Sequence, residues 1–236
     1  MPIIASSKRA AVAKPSSSKP YISINKLAEY MSADAIRRRQ IITSLKKDSD
    51  FTKVYYSEVK NMIVPFFKSD FDLAILEDAI KKIRKKVAIT DWDASDNANS
   101  IEALECMLDT DWPDLGDYKI ITSALALKSV KLANVDVTIK PEIYLKHKSG
   151  KVGAVKIHIA KTPANRLADD NRIYAATLLK YAYVEYGVNE KLIDHDVCFS
   201  FDIFQKQYSV GAASFKRRIS ALEASCEEIA LRWGSI

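Results

Sequence analysis

Residues 135–160 read VDVTIKPEIYLKHKSGKVGAVKIHIA. Apolar, mostly β-branched residues alternate with polar ones, which is the period of a strand. VDVTI and EIYL each read as strand, SGK (149–151) as a hairpin turn, and VGAVKIHIA as the return strand. The apolar face of the return strand holds Val152, Val155, Ile157 and Ile159. Lys156 and His158 point the other way, because side chains two apart share a face. Glu142, directly after Pro141, lies on the partner strand across the turn. A carboxylate, an ammonium and an imidazole are thus expected to project from one sheet face. The plainest role for them is a solvated face with a cross-strand ion pair worth about a few tenths of a kcal/mol.

Helical signals flank this hairpin on both sides. DDNRIYAATLLKYAYVEYG (169–187) reads as a helix stopped by Gly187. DVCFSFDIFQKQYSV (196–210) reads as a strand or a hairpin with a QK turn. The chain then closes on AASFKRRISALEASCEEIALRW (212–233), whose Phe215, Ile219, Leu222, Cys226, Ile229 and Trp233 form one stripe. Towards the N-terminus, IEALECMLD (101–109) is a helix with Ser100 or Asn99 as its cap. The polar run TDWDASDNANS (90–100) reads as a break before it. Further helices are expected over FDLAILEDAIKKIRKKVAI (71–89), over residues 51–67, and over AIRRRQIITSLKK (35–47) with Ser32 as cap. A short first helix follows Ser23, its cap. The pattern predicts an α/β (α+β) protein. Residues 1–20 form a disordered basic tail, 21–93 a helical subdomain, and 94–236 an α/β core ending in the amphipathic helix.

Charge is distributed unevenly. Residues 1–50 hold ten Lys or Arg against four acids, while the remaining 186 residues hold 26 of each sign. The net charge of +6 therefore belongs to the N-terminal part. Such polarity suits an arm or helical unit that meets an anionic partner. Lys26, Arg37, Arg38, Arg39, Lys46 and Lys47 are the candidate nucleic-acid contacts, although three consecutive arginines on a helix cannot all face one surface. The two helices around MSAD (31–34) are compatible with a helix-turn-helix. Cys106, Cys198 and Cys226 are far apart and form no CxxC pair, and the three histidines add no zinc spacing. A reducing, cytoplasmic setting is expected. Phosphate-cradling glycine loops and the motifs of serine hydrolases, zinc proteases and kinases are absent. No apolar run is long enough to span a membrane.

The order Pro141-Glu142, strand, turn, strand with Lys156 and His158, then helix resembles the PD-(D/E)xK nuclease superfamily. Its RecB-like exonucleases, including CRISPR-associated ones, are the branch it looks most like. The resemblance covers about residues 95–185, and it implies a restriction-endonuclease-like mixed sheet flanked by helices. It places Glu142 as a catalytic carboxylate and Mg²⁺ ligand. Lys156-Ile157-His158 stands where (D/E)xK belongs, and Glu105 or Glu102 on the preceding helix takes the upstream carboxylate. Asn171 and Tyr174 fall near the Gln and Tyr that support the site from the following helix. The sequence departs from the pattern: lysine replaces the second carboxylate, and histidine replaces the lysine. The resemblance therefore implies a degenerate core, with Mg²⁺ as cofactor only in an active site.

Two functions are expected from these readings. The first is a nucleic-acid-binding protein, for DNA or RNA, with a nuclease-like core, working in a prokaryotic nucleic-acid-processing or defence complex. The second is a non-catalytic interaction subunit that docks on a protein partner, or a second copy, through the basic N-terminal arm.

Overall fold

A computed structural model describes residues 19–46, 55–121 and 125–235. The expected basic tail lies outside the described residues apart from Lys19 and Pro20, as does Lys47. β1 (Tyr21–Ser23) leads into α1 (Ile24–Ser32), where the Ser23 side chain caps the helix by accepting the Lys26 N–H. α2 (Ala35–Lys46) begins after Asp34, whose Oδ1 accepts the Arg37 N–H at 2.7 Å. Asp34, not Ser32, is therefore the cap. Ser32 remains in α1, and its hydroxyl accepts a hydrogen bond from Asn171.

α3 (Ser57–Lys68) and α4 (Leu73–Arg84) follow, then α5 (Asp91–Leu108). The first turns of α5 are TDWDASDNANS, expected as a break. Thr90 and Asp93 satisfy each other's backbone N–H groups in a capping box, and Asp91 and Asp93 sit where the helix dipole favours anions. These terminal interactions outweigh the weak helix propensity of Asp and Asn. Ser100, an expected cap, is buried in mid-helix.

The remaining elements are β2 (Lys119–Ile121), β3 (Ser129–Leu132), β4 (Val135–Thr138), β5 (Ile143–Lys146), β6 (Val152–His158), α6 (Asp169–Glu185), β7 (Ile193–Asp202), β8 (Gln207–Val210) and α7 (Lys216–Trp233). They confirm a mixed α/β protein with two mixed sheets. One sheet has the order β1-β4-β3 and the other β2-β5-β6-β7-β8. In the larger sheet only β6 and β7 run parallel, joined by the α6 crossover. The predicted stripe of α7 is buried from Ile219 to Trp233.

Helices cover both faces of the larger sheet. On one face Ala154 and Cys198 join a cluster with Leu27, Ile42, Leu178 and Leu222, from α1, α2, α6 and α7. On the other, Val155, Ile157, Phe199 and Phe201 pack with Ile63, Leu76 and Leu104, from α3, α4 and α5. Among the described residues, the helices of 21–93 thus have no core of their own. β6 departs from the expected face. Val152 and Val155 are three residues apart, so regular alternation puts them on opposite faces. Val152 packs on the α6 side with Ala154, while Val155 and Ile157 face α3–α5. The irregularity in the β6–β7 pairing between Val152 and Ala154 is taken up by extra residues in β7. Gly153 sits at that irregularity, and any Cβ there would collide with the Val197 carbonyl and side chain.

Candidate functional site

The start of β5 meets the C-terminal half of β6 around Glu142. Its Oε1 accepts from the Lys156 ammonium at 2.7 Å, and its Oε2 accepts from the Ile157 N–H at 2.7 Å. Lys156 also donates to the Lys140 carbonyl at 2.7 Å. The pair is not on a solvated face: Lys156 and His158 are 8% and 7% exposed. Asn25 of α1 donates to the Ile157 carbonyl at 2.9 Å, which ties the first turn of that helix over the strand. Burial makes the ion pair structurally consequential, because an ammonium left without its carboxylate there has little water to turn to.

His158 stands opposite Asp202, its register partner on β7. Its Nε2 lies 2.7 Å from the Asn165 carbonyl, so that nitrogen carries the hydrogen and donates. Asp202 is fully buried and accepts from the Leu167 and Gln205 N–H groups. Its Oδ2 is 4.0 Å from His158 Nε2. Burial holds the imidazole below its ordinary pKa, against the opposing pull of the Asp202 carboxylate.

A cleft of about 1180 Å³ opens beside these strands. Glu142 and His158 line it from the sheet, and Asn25 and Lys26 from α1. Tyr55, Tyr56 and Lys60 contribute from the start of α3, and Asn99 and Glu102 from α5. The loop after β6 closes the ring with Lys161, Asn165 and Arg166. Lys161 is paired with Glu102 at 2.5 Å, and Lys26 with Glu29 at 2.6 Å. Lys60 is exposed, and among the described residues it hydrogen-bonds only the Tyr55 carbonyl, at 3.0 Å. Arg166 reaches the Lys161 carbonyl and lies over the Phe204 ring.

The structure brings Lys156 to Glu142 and puts Glu142 and His158 in one cleft. The other expected residues lie elsewhere. Glu105 is one turn beyond Glu102 and turns to Arg84 of α4, 2.9 Å away, so Glu102 is the α5 carboxylate that reaches the cleft. Asn171 bonds Ser32 at 2.5 Å, and Tyr174 lies under Arg218, so both brace α6 against its neighbours. Arg37 binds the buried Glu29 and the Asn165 side chain, while Arg38 binds Glu228 and the carbonyls of Tyr30 and Met31. Lys46 donates to the Trp233 carbonyl at 2.7 Å. Arg39 has an exposed position on α2. Sequence reasoning passed over Tyr55, Lys60, Lys161 and Arg166. The last two follow β6 directly, and their place just past the strand end was the available signal.

The donors do not suit Mg²⁺. A hard cation of this kind takes oxygen ligands, usually from more than one carboxylate. Both Glu142 oxygens already accept, one of them from an ammonium, and Glu102 is held by Lys161. Asp194, His195 and Asp196 form a separate group whose ligand atoms lie within 4.8 Å, but Asp194 is engaged by Tyr118 and Lys151. No family model and no curated protein matches the chain. No helix among the described residues is long and apolar enough to cross a membrane.

Proposed function

We propose that the protein binds nucleic acid in the cleft beside β6 and does not cleave it. The observation that carries this reading is the exposed Lys60 ammonium, which lines the cleft and faces no carboxylate partner among the described residues. The Lys156–Glu142 pair is neutral overall, and at 2.7 Å it occupies the carboxylate that a metal ion would need. Arg166 in the same cleft extends the preference of Lys60 to a phosphate backbone, whereas Lys161 is held by Glu102. The likeness of residues 95–185 to a degenerate PD-(D/E)xK core agrees with both halves of the reading.

A fluorescently labelled 20-mer, titrated with the full chain at several salt concentrations, tests the binding. Affinity should fall linearly on a log–log plot, by about 0.7–0.9 in slope for each phosphate neutralised. Binding that ignores salt, or no binding at low salt, contradicts the proposal. In Mg²⁺ or Mn²⁺ the oligonucleotide should stay intact. Cleavage that disappears in Glu142→Ala would restore the nuclease instead. The alternative of a protein-docking arm on α1 and α2 has less support, since Arg37 and Arg38 are already engaged within the chain.

A further inference from the structure

We infer that the cleft selects single-stranded nucleic acid by stacking a base on Tyr55; this rests on the nucleic-acid reading above. Tyr55 lines the cleft and is 46% exposed. Large aromatic side chains usually hide more of their surface, and this one is held open by its neighbours. Tyr56 takes the left-handed conformation, with φ of 60°, which is rare for a bulky residue. Its N–H is fixed by Asp96 Oδ1 at 2.9 Å, and its ring packs edge-on against Phe204. Anchoring Tyr56 in this way sets the chain direction just before α3 and leaves Tyr55 outside the core. The Tyr55 ring is steadied by Trp92, whose ring centre is 5.4 Å away.

Cations stand around this ring. Lys60, one turn into α3, donates to the Tyr55 carbonyl, so an exposed ammonium sits at the base of the platform. Lys161 and Arg166 approach from the loop after β6. An exposed aromatic ring beside an ammonium with no carboxylate partner suits unpaired nucleotides, because a single strand presents its base faces and a duplex hides them.

The test uses the full chain in EDTA with labelled 20-mers, as single-stranded DNA, single-stranded RNA and the matched duplex. At least one single strand should bind about tenfold or more tightly than the duplex. Tyr55→Ala should weaken single-strand binding by about tenfold with an unchanged melting temperature, whereas Tyr55→Phe should retain it. Tryptophan fluorescence should be quenched on single-strand binding, and this quenching should be lost in Trp92→Phe. Equal or tighter binding of the duplex overturns the inference. So does unchanged affinity in Tyr55→Ala where Lys60→Ala weakens every oligonucleotide; the cleft would then read phosphates alone. No binding of any oligonucleotide overturns the nucleic-acid reading itself.

Discussion

The α1–α2 segment and the wall around Lys60 both display basic side chains, yet they use them differently. Along α1 and α2, Lys26 and Arg37 converge on Glu29, which is 4% exposed, and Arg38 bridges to Glu228 of α7. Those cations fasten helices to the body. Around the cleft, the exposed Lys60 faces no carboxylate partner among the described residues, and Tyr55 beside it stays open. Charge density along a sequence therefore says little about charge on offer to a partner. A cation already paired with a buried acid has lost most of its field to that acid.

The contrast breaks most visibly through Arg37. Arg37→Ala leaves buried Glu29 with Lys26 alone, and should cost about 2–3 kcal/mol in urea unfolding while oligonucleotide affinity holds. A large affinity loss without a stability loss would reverse the roles assigned to the two regions. Lys156→Met comes next. It strands the partly buried Glu142, 29% exposed, and should cost about 1–3 kcal/mol. Glu142→Gln/Lys156→Met together should recover part of that loss.

His158 sharpens the comparison through pH. Its pKa is depressed in the folded protein by burial, so the unfolded chain binds the extra proton more readily. Stability should hold above the ordinary imidazole value of about 6.5 and fall as pH drops through it towards the folded pKa. Asp202, Glu29 and Lys26 are the charged groups acting on this ring, and Asp202 opposes the depression. In His158→Gln the fall between pH 7.5 and 5.5 should be shallower; an identical profile would remove His158 from the account. The smallest effect on stability is expected at Lys60. Lys60→Ala should change unfolding by less than about 0.5 kcal/mol and lower the salt slope of binding by about one.

The strands and the C-terminal helix were legible because their periods are local. Residues 143–158 alternate, and Ile219, Leu222, Cys226, Ile229 and Trp233 repeat at helical spacing. The start of α5 was not legible, because its helix rests on a reciprocal Thr90–Asp93 cap rather than on apolar periodicity. At the site, the Glu142–Lys156 pairing could be read from cross-strand position. The burial of Lys156 and His158 could not, since it depends on α1 and α6 being packed over that face. Lys60 and Tyr55 escaped notice for a similar reason: they enter the cleft through the packing of α3, far from the strands in sequence.

The central claim is that an anionic strand, not a metal ion, is what this cleft takes. The most direct measurement is anisotropy of a labelled single-stranded 20-mer in EDTA, comparing the native chain with Lys60→Glu across a salt series. The account predicts full binding without divalent ions, a linear decline with log salt, and roughly tenfold weaker binding after charge reversal. Binding that requires a divalent ion, or an affinity that Lys60→Glu leaves unchanged, would contradict it.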